Sequence, residues 1–158
     1  MINKTLLLFT ATMLFTACAQ QDAENALHEA QNLPQDGIEI ADVWARPANT
    51  GGNTAVYMEI RNGSAAADTL IGLQSEVAAL VELHESYETD DGMMGMRPAN
   101  DPTVPARGVK KYRPGGLHVM IMGLNRDLRA GDEFPLILDF ASHGADTLTV
   151  PVQVMGGS

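Results

Sequence analysis

PGGLHVMIMGL, at residues 114–124, predicts one strand with two unlike faces. Because side chains of a strand alternate between its faces, the aliphatic residues of this stretch share one side: Leu117, Val119 and Ile121. The other side carries an imidazole and two thioethers, from His118, Met120 and Met122. A half-buried strand is normally polar on its outer face, whereas these groups are soft and weakly hydrated. This face is therefore either a second buried surface or a place where a soft ligand binds.

Short alternating segments separated by turn sequences continue on both sides of this stretch, from residue 38 onward. The predicted strands are 38–46, 54–62, 69–73, 80–88, 93–98, 109–113, 117–123, 134–140 and 147–154. Turn sequences such as NTGGN, TDDG, RPGG and SHGAD lie between them. No helical segment of useful length is expected in this region. Many short strands at regular spacing predict an all-β fold, an antiparallel β-sandwich.

The first residues have the composition of an export signal. Lys4 precedes an apolar run over 6–15, and small residues follow as far as Cys18. This run is typical of a secretory signal peptide and is too short to span a membrane. FTAC, at 15–18, resembles a bacterial lipoprotein box, although Phe15 stands where Leu is usual. We predict a signal peptide over 1–17 and lipidation of Cys18; the alternative is a secreted protein cleaved nearby.

The rest of the chain divides into a predicted lipid-anchored flexible tether, 18–36, and one β domain, 37–158. Ala19 stands where an Asp would indicate inner-membrane retention in some bacteria, so we predict a periplasmic protein anchored in the outer membrane. With 10 Lys and Arg against 20 Asp and Glu, the net charge is −10. Such a protein repels nucleic acid and anionic headgroups, so no nucleic-acid partner is expected, and membrane attachment is expected through the lipid anchor only.

Four residues form the candidate metal site: His84, Met96, His118 and Met120. His84 lies in the predicted strand ALVELHESYE and points away from its more apolar side, as His118 does in its own strand. Cys18 is the only cysteine, so the domain has no disulfide, no thiolate ligand and no nucleophilic thiol. No serine-nucleophile motif and no paired carboxylates lie near the two histidines, and an enzyme is not expected.

The position of Met96 depends on the length of the loop before it. With a loop of residues 91–92, Met96 would pair with Tyr87 and face away from the first histidine. With a loop of residues 90–92, it would pair with Ser86 and share the face of that histidine. A three-residue loop that ends in a left-handed glycine is a common hairpin form, and the sequence has Gly at position 92. We predict the odd-length loop.

Two imidazoles and two thioethers make a soft, uncharged ligand set. Thioether sulfur favours Cu(I), whereas Mg²⁺, Ca²⁺ and Mn²⁺ prefer oxygen, and zinc sites usually use thiolate, carboxylate or more histidines. The set predicts one Cu(I) per chain. The competing interpretation is packing, because Met commonly fills cores. Met58 and Met155 are assigned to the core, His28 and His143 to solvent, and Met93, Met94 and Met122 have no assigned place.

The spacing of the four residues resembles the signature of the periplasmic Cu(A) chaperone family, PCu(A)C. Eleven residues separate His84 from Met96, twenty-one separate Met96 from His118, and one separates His118 from Met120. The residue after the first histidine is often Met in that family and is Glu85 here. WARP at 44–47, GNTAVYMEIRN at 52–62, ADTLIGLQSEVAALVELHE at 67–85 and residues 114–140 also resemble the family, so the similarity covers about residues 38–155.

The resemblance implies a cupredoxin-like, Greek-key β-sandwich with a solvent-accessible Cu(I) site. It implies delivery of copper to the Cu(A) centre of cytochrome c oxidase subunit II, in some cases beside a Sco-type thioredoxin-like protein. Some members carry a Met- and His-rich C-terminal tail; because the sequence ends VMGGS, we do not expect a second copper site of that kind here. Copper sequestration or resistance would use the same site, and a metal-free adhesion sandwich would bury the Met face against a partner; both stay open at this stage.

Overall fold

Ten β-strands form the part of the chain that the computed structural model describes, residues 32–154. They are β1 Ile38–Ala45, β2 Asn53–Asn62, β3 Asp68–Gln74, β4 Ala78–Glu88, β5 Met94–Pro98, β6 Thr103–Val104, β7 Gly108–Tyr112, β8 Leu117–Leu124, β9 Glu133–Phe140 and β10 Gly144–Pro151. Within these residues there is no α-helix, and so no helix long and apolar enough to cross a membrane. Cys18, His28 and Met155, with the signal peptide and most of the tether, lie outside the described residues, so their assignments stay predictions.

The strands form two antiparallel sheets. One is six-stranded, in the order β1-β2-β8-β4-β5, with β7 also paired to β2, and the other is four-stranded, in the order β10-β9-β3-β6. Neighbours in these sheets are mostly distant in sequence, as β2 and β8 are, so the chain crosses between the sheets. The predicted all-β antiparallel sandwich is confirmed.

The core lies between the sheets and follows the period-two pattern. Every second residue of β9 is buried, from Phe134 to Phe140, and the intervening side chains are half-buried. In β8, Val119 and Ile121 are fully buried on the core side. Met58 is 2% exposed, which confirms its assignment to the core. Burying apolar surface of this kind contributes roughly 25 cal/mol per Å², and the domain has no disulfide to assist it.

The strand predictions are confirmed apart from their ends, with two corrections. The two-residue strand β6 was not predicted, because two residues show no periodicity. The last strand was predicted at 147–154 but runs over Gly144–Pro151. Gly144 has a positive φ of 94° and already pairs with Phe140, so the turn of SHGAD closes earlier than its composition suggested.

A bulge in β1 reverses the faces on which the later side chains of this strand lie. Ala41 pairs with Glu59, but the register shifts before Trp44, which pairs with Tyr57. Asp42, in the bulge, has a φ of 53°, a left-handed conformation that Asp tolerates better than most residues. Because a one-residue slip moves every later side chain to the other face, Ala45 enters the core, and Trp44 joins Tyr57 on the outer face.

Candidate metal centre

The outer face of the six-stranded sheet, the face turned away from the core, brings the predicted histidines side by side. His84 of β4 pairs directly with His118 of β8, and Glu82 pairs with Met120. The ring centroids of the two histidines are 6.1 Å apart, with an interplanar angle of 61°. Metal–imidazole bonds are about 2.0 Å long in zinc sites, so two rings at this separation can direct nitrogens at one ion.

The β4–β5 hairpin has the predicted odd-length loop. Ser86 pairs with Met96, and the ladder continues to Thr89, whose amide donates to the Met93 carbonyl at 2.8 Å. Residues 90–92 form the loop, and Gly92 has a φ of 78°, the left-handed conformation that glycine adopts at little cost. The register prediction is therefore confirmed, and Met96 lies on the face of His84.

His118 combines deep burial with one unsatisfied ring nitrogen. The residue is only 3% exposed, and its Nδ1 lies 3.0 Å from the carbonyl oxygen of Gly116. A carbonyl can only accept, so Nδ1 carries the proton and Nε2 of the neutral ring carries the lone pair. Within the described residues, Nε2 is buried and has no hydrogen-bond partner. A buried polar atom of this kind costs free energy unless something binds it.

His84 is held differently. Its Nε2 lies 3.0 Å from a carboxylate oxygen of Glu82, two residues earlier on the same face. In this arrangement Nε2 donates to the carboxylate, and Nδ1 is the nitrogen with a lone pair. An outer carboxylate that fixes the tautomer and orientation of a ligand imidazole is common in metal sites.

A cavity of about 240 Å³ opens over this face. His118, Met120, Met96 and Ser86 line it from β8, β5 and β4, and Arg46 and Tyr57 line it from the β1–β2 side. Three of the predicted ligands therefore border one cavity, and the fourth, His84, lies edge-on to the ring of His118. The register thus brings all four predicted side chains to one place.

Aromatic rings close one side of the cavity. Trp44 packs on Tyr57 with ring centroids 4.7 Å apart, and Tyr57 packs on His118 at 6.4 Å. The guanidinium carbon of Arg46 lies 5.3 Å from the Tyr57 ring centroid. Burial raises the pKa of the Tyr57 hydroxyl, and the charge of Arg46 partly offsets this. The second face of β8 is therefore both a buried surface, at His118, and the border of a cavity, at Met120.

Other residues of interest lie near the site or away from it. Met122 is half-buried on the same face and pairs with Leu80 and Asn53. Glu85, which stands where the PCu(A)C signature often has Met, lies on the opposite face and forms an ion pair with Arg97 at 2.7 Å. His143 is in another region, where it contacts Asp146.

Sequence reasoning missed the groups that support the ligands. The Gly116 carbonyl is a backbone group, so no residue type in the sequence indicates its role. Arg46 and Tyr57 reach the cavity through the bulge at Asp42, which no pattern indicated. Glu82 was detectable, because it shares a face with His84 at a spacing of two residues, and a carboxylate two positions from a candidate ligand is a usable signal.

The chemistry of the site is that of a soft donor set. Across residues 32–154, no group of three or more His, Cys, Asp and Glu side chains is arranged to hold a metal. The outer face instead gathers two imidazoles with thioether sulfur, which suits Cu(I) and disfavours hard cations. The Glu82 carboxylate is the nearest anionic group shown to touch a predicted ligand.

Comparison with protein families and curated proteins gives consistent matches. The model of one family, described as "LpqE-like: Putative lipoprotein LpqE-like", matches residues 38–152. "Putative lipoprotein Lxx21020" of Leifsonia xyli subsp. xyli is 28% identical over 164 residues, covering 99% of this chain and 96% of that protein. "Uncharacterized protein RP573" of Rickettsia prowazekii is 27% identical over 126 residues, covering 76% of this chain and 69% of that protein.

Solved structures show the same fold. The "Copper-bound PCuAC domain from PmoF2" matches with a TM-score of 0.61 and 22% identity, covering 74% of this chain and 92% of that one. The "Solution structure of CuI-DR1885 from Deinococcus Radiodurans" matches with a TM-score of 0.54 and 27% identity, covering 81% of this chain and 85% of that one. These similarities confirm the predicted cupredoxin-like β-sandwich.

Proposed function

The chain belongs to the LpqE-like family, a PCu(A)C family, and from this premise we propose that it is an extracytoplasmic copper chaperone. It binds one Cu(I) through His84, Met96, His118 and Met120 and gives the ion to a protein acceptor. The match to a Cu(I)-bound protein at 27% identity and the lipoprotein names of the family and of one relative support this proposal. The proposed role is transport of the ion, without an enzymatic reaction.

The observation that carries the proposal is the unsatisfied Nε2 of His118. The Gly116 carbonyl holds the proton on Nδ1, so the lone pair of Nε2 is available without any loss of a hydrogen bond. The ring is buried and braced by Tyr57, so little side-chain entropy is lost when an ion binds. A rigid, buried acceptor beside a cavity is what a metal ligand requires.

The ligand set explains both retention and release. All four ligands are neutral, so they leave the charge of Cu(I) uncompensated, and a thiolate can displace them one at a time. His118 is 3% exposed, whereas Met96 is 62% exposed on the hairpin. We expect Met96 to detach first and His118 with Met120 to hold the ion longest. A Met96→Ala variant that transfers copper more slowly than its loss of affinity accounts for would contradict this order.

The proposed acceptor is the Cu(A) domain of cytochrome c oxidase subunit II, with a Sco-type thioredoxin-like protein as a further thiolate-bearing partner. The chain is proposed to reach them from a lipid anchor at Cys18, outside the cytoplasm. Sequestration without delivery would use the same ligands, and transfer to an acceptor separates the two roles.

The first experiment is an anaerobic Cu(I) titration of residues 19–158 against a competing chelator. The wild type is expected to bind one equivalent tightly, and His118→Ala is expected to weaken binding by more than about 100-fold, beyond the usual effect of an outer partner. His143→Ala is the matched control, because it removes an imidazole from another region. Equal affinity in all three proteins would overturn the site.

The second experiment tests delivery. Copper-loaded protein is mixed with an apo Cu(A) domain, and the purple binuclear chromophore of that domain is followed by absorption after adding oxidant. A chaperone is supported if the wild-type protein transfers copper to the Cu(A) domain and a complex of Cu(I) with the chelator, without the protein, does not. Tight binding without transfer to this acceptor or to a Sco-type protein would favour sequestration instead.

A further inference from the structure

The β4–β5 hairpin exposes more thioether sulfur than the proposed site uses. Met93 and Met94 are each 64% exposed, and Met96 is 62% exposed. The other methionines within residues 32–154, at positions 58, 120 and 122, are buried or half-buried. Met is among the residues most often buried in folded proteins, so clustered exposure on one hairpin needs an explanation, and only Met96 has one in the proposed site.

Met94 is on the same face of β5 as Met96. Met94 pairs with Glu88 and Met96 with Ser86, and positions two apart on a strand share a face, separated by roughly 7 Å along it. Both side chains are unbranched and flexible, so their sulfur atoms can approach each other. Met93 precedes Met94 by one residue, and strand alternation puts it on the opposite face, where the exposure is the same.

The opposite face of the hairpin is braced by packing. The ring of Tyr87 lies over Gly95 so closely that a Cβ there would be 2.6 Å from the ring. Arg97 stacks on the same ring at 4.9 Å and pairs with Glu85 at 2.7 Å. These contacts cover β5 at Gly95, on the side opposite to Met94 and Met96, and the side chains of Met94 and Met96 remain exposed.

The charges around Met94 favour a cation. Glu88 is its direct cross-strand partner, and Asp90 and Asp91 form the tip of the same hairpin. All three carboxylates are exposed, and the guanidinium of Arg97 stacks on the Tyr87 ring, on the opposite face. A local negative potential raises the concentration of a cation near the surface and its rate of arrival, so Cu(I) would meet this thioether before the buried imidazoles.

We propose that Met94 is an entry ligand, an outer thioether that captures Cu(I) and passes it to Met96 and the buried histidines. The inference rests on the proposed function and adds a route to the same site. In the transfer step a Cu–S bond to Met96 forms while the Cu–S bond to Met94 breaks. Copper stays Cu(I), and no proton or electron is exchanged.

The kinetic test compares Met94→Leu with Met93→Leu, since Leu nearly conserves the volume of Met and the two positions are equally exposed. Cu(I) is supplied anaerobically as its acetonitrile complex, and uptake by residues 19–158 is followed by stopped-flow. Met94→Leu should slow uptake by about tenfold, a range within which on-rates respond to surface changes. Its equilibrium affinity should stay that of the wild type, and Met93→Leu should match the wild type in both.

A second measurement separates this inference from the proposed function. With methionine methyl groups labelled with ¹³C, the His118→Ala variant is titrated with the same Cu(I) complex and observed by NMR. A shift of the Met94 methyl, with none at Met93, supports the entry ligand even where the buried site is disabled. If the wild type binds one equivalent but the Met94 methyl never shifts and Met94→Leu takes up copper at the wild-type rate, the entry ligand is overturned while the chaperone proposal stands.

Discussion

Two histidines of this domain line cavities in different regions, and their surroundings differ in how fully polar atoms are satisfied. His118 lines the cavity of about 240 Å³ on the outer face, and His143 lines one of about 380 Å³ beside Asp68 and Asp36. By volume and polarity, the second cavity is as good a candidate for a ligand site as the first. Hydrogen bonding separates them.

The polar groups around His143 are occupied by one another. Asp68 is only 7% exposed and accepts from the amides of Thr69, Ser142 and His143 at 2.7–2.9 Å. The His143 ring contacts Asp146 at 3.2 Å and packs edge-on against Phe140. The groups of this region hold a turn together, so a ligand would have to break existing bonds.

The outer face has the reverse arrangement. One nitrogen of His118 is fixed by the chain, and the other is buried without a hydrogen-bond partner among the described residues. The His143 imidazole thus belongs to a turn whose polar groups bond to one another, whereas the buried His118 imidazole has one nitrogen without a partner among the described residues. This contrast predicts that substitutions in the two regions affect different properties.

The largest effect on folding is expected for Asp68→Asn. The amide retains one acceptor oxygen, so a buried backbone amide loses its charged partner, and we expect unfolding to become easier by about 2 kcal/mol. Chemical denaturation of wild type and variant measures this, and Cu(I) stoichiometry should remain one. If Asp68→Asn kept its stability but lost copper binding, the region around His143 would serve the ligand and not the fold, which contradicts this contrast.

The same substitution has a pH signature. Burial alone would raise the pKa of Asp68, but the three amide hydrogen bonds outweigh it and hold the pKa below its usual value. A depressed folded pKa contributes stability that is present above the unfolded pKa of about 3.9 and is lost as pH falls through the folded value. The stability difference between wild type and Asp68→Asn should therefore shrink in acid. A difference that is constant down to pH 2 would contradict this.

An intermediate effect is expected for Glu82→Ala. If Glu82 orients His84 so that Nδ1 binds the ion, Cu(I) affinity should fall about tenfold, and Glu82→Gln should restore most of it because its amide oxygen still accepts from Nε2. Chelator competition measures the affinities. Glu85→Ala is the control, since Glu85 lies on the other face and pairs with Arg97.

Tighter binding in Glu82→Ala would contradict this assignment. It would show that the Glu82 carboxylate competes with copper for Nε2 of His84. The ion would then have to displace a hydrogen bond at His84, whereas it displaces none at His118. His84 and His118 would then differ in whether a ring nitrogen is free of hydrogen bonds, which is also the difference between the two regions.

Periodicity was enough to predict the sandwich and the parity of the four candidate ligands. Alternation in strands such as β8 and β9, the glycine at position 92 and the turn sequences carry that information locally. The ends of β10 and the existence of β6 were missed, because two residues or a strand that begins inside a turn sequence give no periodic signal.

The supporting groups depend on tertiary contacts that no local pattern contains. The bulge at Asp42 moves Trp44 and Arg46 to the outer face, and the Gly116 carbonyl selects the tautomer of His118. The place of Gly95 under the Tyr87 ring also depends on the pairing of two strands. The ligand assignment itself remains a prediction until copper binding is measured.

The smallest effect is expected for Gly95→Ala, which tests how firmly the exposed half of the site is held. The added Cβ would lie within 3 Å of three atoms of the Tyr87 side chain, but this side chain is at the surface and can move. We therefore expect a loss of about 1 kcal/mol, at the lower end of what overpacking costs, measured by denaturation. In a Tyr87→Leu background the same change should cost less, because the two positions are coupled.

Gly95→Ala should also change the rate of copper uptake more than the copper affinity. The reason is that Met96 extends from the strand that the Tyr87 ring braces, whereas His118 extends from the interior. A loss as large as that of Asp68→Asn would mean that the hairpin is as rigid as the turn, and Met96 would then not be the ligand that detaches first.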